Sequence, residues 1–293
     1  MARDSGGGEA VKLLITGSAG FIGSYAVKAA MARGLDVDSL DVRAQSENRR
    51  MDVRLLSRIE ADVVLHLAGY ASNAGFADRL ADNYANNVMG TWNVLRLAQQ
   101  AGARVLYASS SAVYGPNQHD IEYPHQITDC EYDPLRLDML TSHYAKSKLM
   151  CELMAASFPN TLGLRIFNAY GPGDELKRHP SPISQMLAAK RAGTPWTCYG
   201  DGTQAKDFIH VADVVECIMR LIKSDATGIV NVGTGVATTF NELAELIDVP
   251  LEYKPVPDPA SYQFFTRAST ERLESIIGKY EFRSVGEGIE GLL

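Results

Sequence analysis

The segment SHYAKSKLMCE, residues 142–152, places Tyr144 and Lys148 four residues apart. On a helix this spacing brings both side chains to one face. A phenol with a pKa near 10 is ionised only about one part in a thousand at pH 7. One positive charge at about 4 Å, at an effective dielectric of about 20, supplies about 4 kcal/mol, enough to lower this pKa by about three units. The pair is therefore either a tyrosine base tuned by a lysine or an ordinary surface pair.

A second candidate for chemistry is the loop LITGSAGFIGS, which spaces Gly17, Gly20 and Gly23 three residues apart. Glycines permit a tight turn and a close approach of the backbone to a pyrophosphate, and the following helix offers its N-terminus to the anion. The next predicted strand ends at Asp41, whose carboxylate can accept hydrogen bonds from an adenosine ribose. The pattern predicts a dinucleotide site. Asp41 favours NAD over NADP, and Arg43 weakens that preference without reversing it.

Alternating β-rich and helical segments must position these residues. The predicted strands are VKLLIT, VDSLDV, ADVVLHLAG, ARVLYASS, TLGLRIF and GIVNVGT. The predicted helices are FIGSYAVKAAMA, ADNYANNVMGTWNVLRLAQQAG, SHYAKSKLMCELMAASF and HVADVVECIMRLIKS. Such alternation is typical of β-α-β units, so we expect an α/β fold with a Rossmann-type, doubly wound parallel sheet.

The local composition of the chain changes at Tyr170, where segments rich in glycine and proline begin. We expect a smaller, discontinuous C-terminal substrate-binding domain there. The predicted NAD-binding domain is 11–168, with 208–232 returning to it. The predicted nucleotide-sugar-binding domain is 169–207 together with 233–293.

Composition narrows the class of protein. The chain has 293 residues, a formal net charge of −7 and four cysteines without C-x-x-C pairs or metal-ligand spacing. We expect reduced thiols, no metal site and a cytoplasmic protein. No segment approaches the roughly 20 apolar residues of a membrane span. The charge and the absence of a Lys/Arg block argue against nucleic-acid binding.

These motifs resemble the extended short-chain dehydrogenase/reductase family, specifically the NAD-dependent epimerases and dehydratases of nucleotide sugars. The resemblance rests on TGSAGFIGS, HLAGYAS, NNVMGTWNV, YASSSAVYG, YAKSK, LRIFNAYGPGD and GDGTQAKDFIHVADV. The tail YQFFTRASTERLESIIGKYEFRSVGEGIEGL is most similar to that of ADP-glycero-manno-heptose 6-epimerases. The resemblance implies NAD as cofactor, a nucleotide-diphosphate sugar as substrate, with a UDP-sugar favoured, and a homodimer formed through helices around residues 90–100 and 142–157.

The resemblance also implies roles for individual residues. It implies a base at Tyr144, a tuning and ribose-binding role for Lys148, and a hydroxyl on the sugar oxygen from Ser110, with Ser111 the second choice. Cofactor contacts are expected from the following residues: Gly17, Gly20, Phe21, Ile22, Gly23, Asp41, Asp52, Val53, Leu67, Ala68, Tyr144 and Lys148. Substrate contacts are expected from the following residues: Ser111, Asn168, Lys177, Lys206 and Arg267. Lys206 stands where the family usually has arginine. Lys177 is either a second catalytic lysine, as in the heptose enzymes, or a solvated loop lysine.

Three functions stay open at this point. An epimerase would oxidise the sugar to a 4-keto intermediate and return the hydride to its other face. A dehydratase (4,6- or 5,6-elimination) would eliminate water from the same intermediate. Similar dehydratases usually carry an acidic residue where this chain has Ala112, which disfavours ordinary 4,6-elimination. An unusual elimination could use Lys177, His179, His119 or Cys130. A noncatalytic NAD-binding sensor or scaffold would need no tuned phenol.

Overall fold

Parallel strands and helices alternate through most of the chain. The computed structural model describes residues 11–46, 49–72, 75–115, 142–257 and 262–293. The strands are β1 (Lys12–Thr16), β2 (Asp36–Leu40), β3 (Val63–His66), β4 (Arg104–Ser110), β5 (Thr161–Ile166), β6 (Asn168–Tyr170), β7 (Trp196–Tyr199), β8 (Ala205–His210), β9 (Gly228–Val232), β10 (Ala237–Thr239) and β11 (Leu251–Lys254). The helices are α1 (Phe21–Ala32), α2 (Leu80–Tyr84), α3 (Gly90–Ala101), α4 (His143–Ala155), α5 (Pro182–Ala192), α6 (Val211–Ile222), α7 (Phe240–Ile247), α8 (Glu271–Ile277) and α9 (Val285–Glu290).

The central sheet has six parallel strands in the order β2-β1-β3-β4-β5-β9. β1 lies between β2 and β3, with Ile15 opposite both Ser39 and Leu65. The strand order therefore reverses next to β1, and ligands of doubly wound sheets bind at the carboxyl ends of strands at such a point. The predicted Rossmann-type sheet is confirmed.

Alternate residues of β1 face two different cores. Leu13 and Ile15 pack in a core that includes α1 and α6, whereas Leu14 packs in a core that includes α3. A strand buried on both faces has apolar residues at successive positions, which explains the continuous apolar run before the glycine loop. Helix α1 then ends before Gly34, whose φ of +72° favours glycine.

The helix predicted before the fourth strand is interrupted in the structure. A π-helical turn, Ala85–Met89, separates α2 from α3. Such turns widen a helix by one residue and frequently lie at functional sites. The turn carries Asn87, which is 1% exposed, into the interior.

Two smaller sheets lie outside the central one, in the orders β10-β8-β6 and β11-β7. They pack around a third core that contains Tyr170, Phe208, Phe240 and Leu243. Strand β8 spans the predicted boundary between residues 207 and 208, and the division into two domains stays a prediction.

Composition predicts reduced thiols and no membrane span, and the structure describes three of the four cysteines and all the helices named above. Cys151, Cys198 and Cys217 are buried free thiols, and Cys130 lies outside the described residues. Within the described ranges, no helix is both long and apolar enough to cross a membrane.

Candidate active site

The glycine loop leaves the carboxyl end of β1 and packs directly on the segment after β3. Gly17 has a φ of +74°, and a Cβ there would lie 2.6 Å from the backbone of Leu67 and Ala68. A Cβ on Gly23 would lie 2.1 Å from the Gly17 carbonyl oxygen. Gly20 is the residue just before α1, and no side chain among the described residues caps this end of the helix. The first turn of α1 therefore offers N–H groups and a positive dipole to an anion.

Asp41 binds the glycine loop from the end of β2. Its carboxylate is 6% exposed and accepts hydrogen bonds from the N–H of Ala19 (3.0 Å) and of Arg43 (2.7 Å). The Arg43 guanidinium donates to the Ala19 carbonyl (3.0 Å) and lies 3.5 Å from the Asp41 carboxylate. Asp41 thus lies beside the loop, where the sequence predicts the adenosine ribose.

The remaining predicted cofactor residues lie in α1 and in the segments that follow β2 and β3. Asp52 caps a short 3₁₀ helix that begins at Val53, and hydrogen bonds from Arg54 lower the pKa of Asp52. Phe21 is the first residue of α1, and Ile22 packs against the core beneath it. Two backbone N–H groups of the segment after β3 donate to β1, that of Leu67 to the Thr16 carbonyl (3.0 Å) and that of Ala68 to the Thr16 hydroxyl (3.4 Å).

A buried histidine that the sequence reasoning missed lies under the same loop. His66 is 2% exposed, with Nδ1 2.7 Å from the Thr16 hydroxyl and Nε2 3.1 Å from the Thr91 hydroxyl. Burial and the nearby Lys148 charge lower the pKa of His66 to about 3. His66 is therefore neutral near pH 7 and joins β1, β3 and α3 beneath the glycine loop.

The predicted catalytic residues lie on α4 and at the carboxyl end of β4. Tyr144 and Lys148 are buried on the inner face of α4, 7% and 6% exposed. The Lys148 Nζ donates to the Ala108 carbonyl (2.8 Å). Ser110 ends β4 and caps a 3₁₀ helix, residues 111–114, and this helix packs against α4. The fold therefore brings Ser110, Tyr144 and Lys148 into one region.

Asn87, in the π-helical turn, connects α4 to the loop after β3. Its side-chain amide donates to the Tyr70 carbonyl (3.1 Å) and the Ser147 hydroxyl (2.9 Å). Its amide oxygen accepts from the Tyr70 N–H (2.7 Å), and Ser147 donates to the Tyr144 carbonyl (2.7 Å). The segment after β3 also packs against Tyr144, since the ring centres of Phe76 and Tyr144 lie 6.1 Å apart.

A buried ion pair connects α4 to β4 and β5. Glu152 accepts from Arg165 at Nε (2.9 Å) and Nη2 (2.8 Å), and from the Ser109 hydroxyl (2.5 Å). The Arg165 guanidinium also lies 4.6 Å from the centre of the Tyr114 ring. These contacts fix the elements that carry Tyr144 and Ser110 relative to each other. The sequence signal that could have indicated this ion pair is Glu152 itself, a charged residue on the face of α4 that is buried.

The predicted substrate residues Asn168, Lys206 and Arg267 lie on three segments that meet beside β8. Asn168 begins β6 and donates to the Asp207 carbonyl (3.0 Å). Lys206 is 9% exposed and donates to the Gln263 carbonyl. Arg267 is half-buried in the tail segment. The N–H of the following residue, Ala268, donates to the Asp207 carboxylate (3.0 Å). The structure thus brings these three segments together, with Ser111 at 6% exposure in the neighbouring 3₁₀ helix.

Lys177 occupies a loop between the glycine loop and the segment after β3. It forms an ion pair with the fully buried Asp174, and its Nζ lies 4.9 Å from the centre of the Phe21 ring. His179, in the same loop, has a buried Nε2 that lacks a hydrogen-bond partner among the described residues. His119, the remaining candidate from the sequence, lies outside the described residues, as Cys130 does.

Residues 13–233 match the model of the NAD dependent epimerase/dehydratase family. The chain belongs to this family. It is 32% identical over 275 residues to UDP-glucuronic acid decarboxylase 1 of Arabidopsis thaliana, which covers 85% of this chain and 62% of the relative. The chain therefore spans less than two thirds of that relative's length.

Solved structures of similar fold belong to the same group of enzymes. MoeE5 in complex with UDP-glucuronic acid and NAD has a TM-score of 0.81 and 29% identity, covering 96% of this chain and 97% of MoeE5. A UDP-N-acetylglucosamine 4-epimerase from Methanobrevibacter ruminantium, in complex with UDP-N-acetylmuramic acid, has a TM-score of 0.80 and 25% identity, covering 97% of each chain. This chain therefore belongs to a family of NAD-dependent enzymes whose members include nucleotide-sugar epimerases, dehydratases and decarboxylases.

The described residues fit that cofactor. The uncapped N-terminus of α1 would bind the pyrophosphate, and the side-chain-free surface of the glycine loop would let it approach. Asp41 would bind the adenosine ribose, and Lys148 would bind the second ribose. These residue roles are proposals.

Proposed function

We propose that the protein is a UDP-sugar 4-epimerase that oxidises carbon 4 transiently. The Tyr144 phenolate takes the proton of the 4-hydroxyl, and the Ser110 hydroxyl donates a hydrogen bond to the same sugar oxygen. The positive charge of Lys148 stabilises the phenolate. NAD, when bound, supplies a reversible acceptor for the hydride of carbon 4. The 4-keto sugar turns over and carbon 4 takes the hydride back on its opposite face, while Tyr144 returns the proton to the oxygen, so the configuration at carbon 4 is inverted.

The observation that carries this choice is the environment of Ala112. Ala112 and Val113 pack against Ala145 and Leu149 of α4 in a small apolar cluster. The position where similar dehydratases carry an acidic residue is thus occupied by a methyl group in an apolar contact. In the proposed reaction Tyr144 accepts the proton of the sugar hydroxyl, and Ala112 offers no acid for elimination.

A second candidate is decarboxylation of UDP-glucuronic acid, favoured by the likeness to plant enzymes of that name. The first steps would be the same. A ketone at carbon 4 stands β to the carboxyl group on carbon 6, so the intermediate could lose carbon dioxide. The two candidates differ only in the fate of the 4-keto intermediate.

Products from UDP-glucose, UDP-N-acetylglucosamine and UDP-glucuronic acid distinguish these functions. We expect mass spectrometry to show unchanged mass and NMR to show inversion at carbon 4. A loss of 44 mass units from UDP-glucuronic acid would establish the decarboxylase instead, and a loss of 18 would establish a dehydratase. ADP-, GDP- and dTDP-sugars test the choice of nucleotide.

We also propose that the enzyme is a homodimer formed through α3 and α4. These two helices, together with the end of the π-helical turn before α3, expose four large apolar side chains, which are 41–53% exposed: Met89, Trp92, Met150 and Leu153. Apolar side chains grouped in this way are typical of protein interfaces. Sedimentation should show a dimer for the wild type and a monomer for Leu153→Glu. A monomeric wild type would contradict the proposal. The predicted cytoplasmic location stays a prediction.

A further inference from the structure

Gln263 contacts two parts of the site at once. Its side-chain amide donates to the Gly115 carbonyl (3.0 Å) and, at longer range, to the Ser111 carbonyl (3.4 Å). Its own backbone carbonyl accepts from Lys206. One residue of the tail therefore joins the 3₁₀ helix of residues 111–114 to the lysine on β8.

The side-chain amide of Gln263 donates a hydrogen bond to a backbone carbonyl at the end of the 3₁₀ helix that follows Ser110. Ser110 caps the beginning of this helix, and its hydroxyl accepts from the Ala112 N–H (3.2 Å). Gly115, which follows the helix, is buried, so its carbonyl would lose its partner without Gln263. The other side of the helix packs on α4. A shift of this short helix would move Ser110 relative to Tyr144.

Lys206, a predicted substrate contact, donates a hydrogen bond to Gln263 and so connects it to the substrate site. The lysine is nine-tenths buried, and its described partners are the Gln263 carbonyl and the Tyr262 ring, 5.7 Å from Nζ. No carboxylate of the described residues forms an ion pair with it. A buried ammonium without a counter charge is costly, and a diphosphate supplies that charge. The Gln263 carbonyl therefore occupies a donor that a diphosphate would use.

We propose that Gln263 is a positioning residue that couples diphosphate binding at Lys206 to the placement of Ser110. This inference rests on the proposed function, since it takes Lys206 as a diphosphate contact. When the diphosphate binds Lys206, the Gln263 backbone adjusts and its side-chain amide sets the 3₁₀ helix in the catalytic position. Gln263 itself touches neither the substrate nor the cofactor in this account.

Hydrogen exchange of the intact enzyme tests the coupling without turnover. UDP should change the exchange rate of a peptide covering residues 107–115 at least threefold in the wild type. The change should disappear in Gln263→Met, which keeps the length of the side chain and removes its donors. The control is Gln99→Met, at an exposed position near the end of α3, which should respond as the wild type does.

Kinetics then separate positioning from binding. We expect Gln263→Met and Gln263→Glu to lower kcat at least tenfold, because a small misplacement of a catalytic group is costly. The Kd for UDP, from calorimetry, should stay within threefold of the wild type. A variant with kcat above half the wild-type value overturns the proposal, and so does a variant whose UDP binding weakens as much as kcat.

Nucleotide binding and hydrogen exchange together distinguish a failure of the proposed function from a failure of the Gln263 role. If the wild type binds none of UDP, ADP, GDP and dTDP, the proposed function fails, and the role of Gln263 falls with it. If the wild type binds one of them and exchange of residues 107–115 is unchanged, only the role of Gln263 is overturned.

Discussion

Replacing Lys206 by methionine should stabilise the protein near neutral pH while weakening nucleoside-diphosphate binding. The lysine is 9% exposed, and burial lowers the pKa of Lys206 to about 7. In the unfolded chain its pKa is 10.5. Folding at pH 6.5 therefore buries an ammonium ion that has no carboxylate partner among the described residues.

The magnitude follows from that pKa. Each tenfold change in proton affinity corresponds to about 1.4 kcal/mol, so the pKa of Lys206 implies a cost of about 5 kcal/mol below pH 7. Methionine removes this cost but leaves the Gln263 carbonyl without its donor, a loss of about 1 to 3 kcal/mol. The net effect at pH 6.5 is a stabilisation of about 2 to 4 kcal/mol. This should raise Tm by about 5 to 15 °C.

The sign of the pH dependence is also determined. Between pH 7 and 10.5 the unfolded chain binds a proton at Lys206 that the folded protein has released. The free energy of unfolding of the wild type therefore rises with pH across this window. The methionine variant lacks this rise, so its advantage should be largest below pH 7 and nearly absent at pH 9.5.

Thermal and urea unfolding at pH 6.5 and pH 9.5 measure the effect. Lys254→Met is the matched control, because that lysine is exposed and paired only at the surface, with Glu252 at 3.0 Å. Its stability should change by less than about 0.5 kcal/mol. Calorimetry should show weaker UDP binding for Lys206→Met. A methionine variant no more stable than the wild type at pH 6.5, or an advantage that is the same at both pH values, would contradict the assigned cost of burying the Lys206 ammonium.

Three further predictions concern the Tyr144–Lys148 pair, the buried Glu152–Arg165 ion pair and the cofactor. Tyr144→Phe should lower kcat at least 100-fold and leave NAD affinity within about threefold. Lys148→Met should lower kcat and also weaken NAD binding. A Tyr144→Phe variant that keeps a tenth of the wild-type kcat would contradict the role of Tyr144 as the base. Glu152→Gln should lower the free energy of unfolding by about 3 to 5 kcal/mol in urea, because it leaves a buried arginine unpaired, while the exposed Glu60→Gln should change it by less than about 0.5 kcal/mol. Equal losses in both variants would show that burial of this pair is unimportant. Calorimetry should show NAD binding at least tenfold tighter than NADP because of Asp41, and the reverse order would contradict that role.

Local patterns in the sequence were sufficient to predict the fold, and the site residues that they indicate stay predictions. The glycine spacing, the apolar runs and the four-residue spacing of Tyr144 and Lys148 each act within one strand, turn or helix. Their structural consequences follow from helix and strand geometry alone. The right-handedness of β-α-β connections limits the possible orders of strands but does not by itself select one.

Contacts between distant residues could not be predicted in this way. Asn87 and Ser147 are 60 residues apart, and Gln263 and Gly115 are 148 apart. Nothing in their immediate sequence shows that their side chains meet, because an amide or a hydroxyl has many equivalent partners. The interruption of the helix before α3 has the same origin, since its π-helical turn carries the buried Asn87 that bonds across to Tyr70 and Ser147.

Transfer of the carbon-4 hydride is the step on which the proposed function depends most directly. A UDP-sugar substrate carrying deuterium at carbon 4, turned over in ordinary water, should give an epimer that keeps the deuterium at carbon 4. The unlabelled substrate in deuterium oxide should give a product without solvent deuterium, since no other carbon–hydrogen bond is broken. Loss of the carbon-4 label to water, solvent deuterium at carbon 5, or a loss of 18 or 44 mass units would contradict the 4-epimerase.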